Sequence, residues 1–111
     1  MSTRKYELML TLKPSLPENV RLNIQNKIEK IIKDNSLDIK NQDVWGKRYL
    51  AFDVKKHNEG YFILYNLEQE KNFKGDNISK LQRSLLLIGE IIRQGIFSVK
   101  KFSDPQQKLN N

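Results

Sequence analysis

The chain has 111 residues, 20 of them Lys or Arg and 13 Asp or Glu, giving a formal charge of +7 and a sequence pI near 9.7. That length makes one compact domain with a modest core, and the absence of cysteine excludes disulfides, thiolate chemistry and Cys-based zinc sites together. A hydrophobic fraction of 38% beside 30% charged residues fits a globular protein, and the positive excess favours a polyanion partner, RNA or DNA first.

The apolar runs are too short to span a bilayer, and the residues after Met1 do not read as a signal peptide, because Arg4 and Lys5 precede an alternating run. In that run Tyr6, Leu8, Leu10 and Leu12 alternate with Glu7, Met9, Thr11 and Lys13, which predicts a first strand stopped by Pro14. Ser15 and Glu18 have the spacing of a capping box, with Pro17 tolerable in the first turn. Val20, Ile24, Ile28, Ile31 and Ile32 then follow at helical spacing, predicting an amphipathic helix over residues 16–34 whose other face carries Arg21, Lys27, Lys30 and Lys33. Asn35 and Ser36 close it.

Residues 37–56 read as a long second strand, with Gly46 marking a bulge or bend. The cluster His57-Asn58-Glu59-Gly60 predicts a turn, and residues 61–67 a third strand with apolar side chains on both faces. Residues 68–75 are polar and loop-like. Asp76 is placed to cap a second helix with Ile78, Leu81, Leu85 and Ile88 as its buried stripe, ended by Gly89. Residues 91–100 predict a fourth strand, and residues 101–111 a polar, flexible tail. The order strand, helix, strand, strand, helix, strand with right-handed crossovers gives an α+β, ferredoxin-like split βαβ plan over residues 1–100: a four-stranded antiparallel sheet, both helices on one face, the other face open.

Catalysis finds no support in the residues. His57 is the sole histidine and lies in a predicted turn without Ser or Cys neighbours, and the carboxylates are scattered. A small ferredoxin-like phosphatase would need a Gly-rich, Arg-bearing loop after the first strand, and Pro14-Ser15-Leu16-Pro17 offers neither. We therefore expect no catalytic residue, metal, cofactor or small-molecule substrate. Tyr61, Phe62 and Tyr65 are where an RNA-recognition motif would place base-stacking aromatics, but the stretch from Glu59 fits that signature loosely, and core or protein interface is the competing use.

The basic residues are more informative. Trp45-Gly46-Lys47-Arg48-Tyr49-Leu50-Ala51-Phe52-Asp53-Val54-Lys55-Lys56 leans to strand, yet holds four cations in twelve positions. Adjacent strand residues point to opposite faces, so Lys47 and Arg48 should diverge. Lys55 and Lys56 stand at the far end of the strand, Arg4 and Lys5 open the first strand, and Arg93 lies in the fourth. Arg offers a planar fork for phosphate and Lys a mobile point charge. For Arg48 the competing use is a salt bridge to Glu7 or Asp43.

Arg4-Lys5-Tyr6-Glu7, Pro14, Trp45-Gly46-Lys47-Arg48 followed by Leu50-Ala51-Phe52, Gly60-Tyr61-Phe62 and Ile91-Ile92-Arg93 resemble, in order and spacing, bacterial-type small-subunit ribosomal protein six. The resemblance implies the ferredoxin-like fold and a structural role in the small-subunit platform. It also implies binding to the central domain of small-subunit rRNA together with ribosomal protein eighteen, and no membrane. Residence on a ribosome follows, in bacterial cytoplasm or in an organelle, plastid before mitochondrion. Carried onto this chain, it points to Arg4, Lys47, Arg48, Lys56 and Arg93 as RNA or partner contacts, and to Trp45 and Gly46 as shaping the second strand. Phe52 and Asp53 stand where the family commonly has Tyr and Pro, Leu86 where it has Arg, and Asn35-Ser36 where it has a Gly-rich turn. A free RNA-binding module using its open sheet face is the alternative.

Overall fold

The computed structural model describes residues 3–99, so the expected tail at 101–111 lies outside the described residues. Its elements are β1 (Thr3–Leu12), α1 (Glu18–Asp34), β2 (Asp38–Val54), β3 (His57–Glu70), α2 (Asn77–Leu86) and β4 (Ile91–Val99). The strands form one antiparallel sheet in the order β2-β3-β1-β4, the ferredoxin-like arrangement expected.

Alternation along the two central strands builds the core. Leu8, Leu10 and Leu12 of β1 and Ile63, Tyr65 and Leu67 of β3 are buried on one face, where they meet Ile24, Ile28 and Ile32 of α1 and Leu81 and Leu85 of α2. The intervening residues, among them Met9, Thr11, Phe62 and Leu64, therefore lie on the face without helices. Buried Asn77 joins the helices by donating from its amide to the Asn35 carbonyl at 2.9 Å. Beneath α1, the Tyr65 hydroxyl accepts from the Gln42 amide at 3.0 Å and donates to the Glu29 carboxylate at 3.3 Å. Burial pushes the Tyr65 phenol well above its ordinary pKa; the Gln42 hydrogen bond opposes the rise and the Glu29 charge adds to it.

The boundaries correct the sequence reading in several places. Pro17 holds the N-cap of α1 without a side-chain hydrogen bond, so the Ser15–Glu18 capping box does not form. Asp76 occupies the N-cap of α2, also without a side-chain bond, and that helix stops at Leu86, before Gly89. Residues 57–60 are not a turn but the first part of β3, which also runs on to Glu70. The chain reverses at Lys55 and Lys56, whose φ of 49° and 67° between the paired Val54 and His57 make a two-residue type I′ hairpin turn.

Ser36, after the C-cap of α1, takes φ 63°, a left-handed conformation that glycine adopts freely. Ser36→Gly is expected to stabilise the fold by about 0.5–1 kcal/mol, less than the full left-handed cost because glycine also frees the unfolded chain. Urea unfolding of the two proteins checks this.

Candidate nucleic-acid interface

The geometry of the basic run 45–56 turns on the second and third of three interruptions in the register of β2 with β3, the first lying at Ile39/Asn41. Val44 lies opposite Ile63, but Gly46 lies opposite Phe62, so Trp45 is an extra residue and Gly46, at φ 81°, makes a bulge. Plain alternation from the core-facing Val44 would send Lys47 to the open face and Arg48 toward the helices. The bulge reverses this. Lys47 lies opposite core-facing Tyr61, and Arg48 opposite Gly60 on the open face.

The third interruption lies between the pairs Tyr49–Glu59 and Val54–His57, where β2 advances five residues against two of β3. The surplus at residues 50–53 arches over the open face. Leu50 sits above Gly60, with its Cδ2 3.6 Å from where a Gly60 Cβ would stand, and Phe52 reaches across to β4 at the opposite edge. There the Arg93 guanidinium lies 5.8 Å from the centroid of the Phe52 ring.

On the β2 side, Trp45 stacks on Phe62 with centroids 6.4 Å apart and an interplanar angle of 23°, and its indole N–H donates to Asp43 at 3.1 Å. The Arg48 guanidinium stands 5.8 Å from the Trp45 centroid. Arg48 does not pair with Glu7 or Asp43: among the described residues the one ion pair joins Lys30 and Asp34 at 3.1 Å. Two arginines thus lie against aromatic rings on one face, each contact worth about 0.5–1 kcal/mol at an exposed site, with their remaining N–H donors free of carboxylates. Between them and the end of β4 is a shallow depression of about 280 Å³, lined by Met9, Thr11, Phe62, Arg93, Gly95 and Phe97. Phe52 and Phe97 remain 66% and 61% exposed, large apolar surface left in water where a partner could cover it.

The five expected contact residues therefore separate. Arg48 and Arg93 share the open face; Lys47 is on the helix side; Lys56 is at the hairpin tip. Arg4, opposite Gln69, is about 23 Å along β1 from Thr11, the residue that faces Arg93. Of the aromatics compared with an RNA-recognition motif, only Phe62 is on the open face; Tyr61 and Tyr65 face the helices. Trp45, read as scaffold, lines the site. Arg21, read as part of the solvated helix face, lies instead with its guanidinium 4.5 Å above the Tyr61 ring. Its spacing from Ile24 and Ile28, three and seven residues, already put it beside the buried stripe.

Among the described residues no group of three His, Cys, Asp or Glu is placed to hold a metal, and no helix is long and apolar enough to cross a membrane. His57 is a half-buried strand residue opposite Val54.

A family model described as Ribosomal protein S6 matches residues 5–98. This chain belongs to the ribosomal protein S6 family. The small ribosomal subunit protein bS6 of Clostridium acetobutylicum is 34% identical over 98 residues, covering 87% of this chain and 98% of that protein. The bS6 of Cutibacterium acnes is 36% identical over 90 residues, covering 81% and 90%. The crystal structure of 30S ribosomal protein S6 from Thermotoga maritima superposes with a TM-score of 0.81 at 26% identity, covering 99% of this chain and 100% of that one. A C-terminal domain of MgtC from Mycobacterium tuberculosis shares the fold alone, with a TM-score of 0.60 at 10% identity. Membership in the S6 family makes the chain a ribosomal structural protein and not an enzyme.

Proposed function

We propose that the chain binds the central domain of small-subunit rRNA together with ribosomal protein eighteen. The observation that carries this reading is the convergence of Arg48 and Arg93, from strands on opposite edges of the sheet, over Trp45 and Phe52 on one face. Guanidinium groups that lie beside rings and form no ion pair among the described residues keep their N–H donors for phosphate. Lys56 at the hairpin tip extends the same positive end. The adjoining patch of the face, with Met9, Leu64 and the exposed Phe97, is apolar and open, and suits a protein partner better than RNA.

Arg48→Ala combined with Arg93→Ala is expected to leave the fold intact, since both side chains are exposed. It should lower incorporation into small subunits roughly tenfold or more, and flatten the salt dependence of assembly by about two units of slope. Quantitative mass spectrometry of purified subunits reads the first and assembly at graded salt the second. Undiminished incorporation would count against the phosphate role.

The stacked Trp45–Phe62 pair favours a second reading, a free module that stacks single-stranded RNA on its sheet. Sedimentation separates the two. A chain stoichiometric with small subunits supports the first, and one recovered only on other RNAs supports the second.

A further inference from the structure

We propose a second RNA contact on the opposite side of the hairpin base: a clamp for one unpaired nucleotide, built from Arg21, Lys47, Tyr49 and Tyr61. It rests on the reading that this chain binds RNA, and names the form of RNA that this side receives.

The register assembles the cluster. Lys47 lies directly opposite Tyr61, and Tyr49, two residues on and so on the same face, lies opposite Glu59. From above, α1 lowers Arg21 onto the Tyr61 ring at 4.5 Å. The Arg21 Nε is buried without a hydrogen-bond partner, and neither Arg21 nor Lys47 forms an ion pair among the described residues. Tyr49 is 79% exposed, the most exposed large aromatic among the described residues. An aromatic ring held out in water beside two free cations matches the two ends of a nucleotide, a base that stacks and a phosphate that needs positive charge.

The acids give the clamp a direction. Glu59 is across from Tyr49, whereas the charge of Glu18, one helical turn before Arg21, is outweighed at that end by Arg21 and Lys47 together. Phosphate is therefore drawn to the Arg21–Lys47 end and repelled from the Glu59 end, while Tyr49 takes the base. A duplex cannot offer an unstacked base to Tyr49, so the site selects an unpaired nucleotide. Lys47, which the bulge turns to the helix side while Arg48 takes the open face, thereby acquires its own partner group.

Wild-type and variant chains competed for small subunits lacking this protein provide the test. Tyr49→Ala should be outcompeted by roughly five- to hundredfold, the range for loss of one base–aromatic stack, and Tyr49→Trp should compete evenly with wild type. Ultraviolet irradiation of the assembled subunits should cross-link Tyr49 to a nucleotide. Even competition by Tyr49→Ala, or a Tyr49 cross-link to protein, overturns the inference. Arg48→Ala run in parallel reports on the parent reading: its loss with Tyr49→Ala unaffected removes only the clamp, whereas even competition by both variants removes both.

Discussion

Tyr65→Ala is expected to lower unfolding free energy by about 3–5 kcal/mol, and Tyr65→Phe by only about 1 kcal/mol. The difference separates the work of the ring from that of the hydroxyl. The ring is fully buried in the central strand β3, packed beneath α1, and its removal leaves a cavity that the sheet cannot collapse to fill. The hydroxyl is one member of a three-way polar group. Without it the Gln42 amide still donates to Glu29, at 3.0 Å in the native protein, so no buried charge is stranded. Urea unfolding of the two variants measures both values.

The same residue couples stability to pH. The folded-state pKa of Tyr65 is raised, so below about pH 10, the unfolded value, both states hold the proton and the full contribution is present. Above that the unfolded chain releases a proton that the folded chain retains, and stability falls by about 1.4 kcal/mol per pH unit. Tyr65→Phe should remove that share of the alkaline slope, read by comparing unfolding at pH 9 and pH 11.

Gly60→Ala is the second large effect, about 1–3 kcal/mol of destabilisation. A Cβ at this position would overlap the Thr11 Cγ2, a methyl on a stiff, β-branched and buried side chain. Both residues belong to central strands, so neither backbone can step aside. Thr11→Ser deletes the obstructing methyl, and the double variant should recover most of what Gly60→Ala loses, a coupling of about 1 kcal/mol or more in a double-mutant cycle. Leu50 would stay in ordinary contact with the new methyl, so the arch that carries Phe52 toward Arg93 should keep its place.

The order of elements and the core were legible because periods of two and 3.6 report burial directly: Leu8, Leu10 and Leu12, and Ile24, Ile28 and Ile32, were in plain view. The hairpin turn was not. His57-Asn58-Glu59-Gly60 has turn composition but is held extended by pairing, while Lys55 and Lys56 accept positive φ because the twist of the two strands demands it. Of the candidate interface, the opposition of Lys47 and Arg48 was legible from adjacency alone. Which residue takes which face was not, because one extra residue at Trp45 inverts the phase of everything after it. The approach of Phe52 to Arg93 depends on a surplus of chain in β2 that no local pattern records, and the seat of Arg21 on Tyr61 depends on the helix docking over the sheet.

The interruptions at Trp45 and at residues 50–53 have a further effect, on the free protein. β2 is the edge of the sheet, and a 17-residue edge strand would ordinarily present a long unpaired ladder on which another chain could add. A bulge near its middle, an arch near its end, and Lys40, Asp43 and Lys47 along its length break that ladder into short, charged pieces. The kinks that place the arginines also make the rim a poor template for aggregation before the protein joins a ribosome.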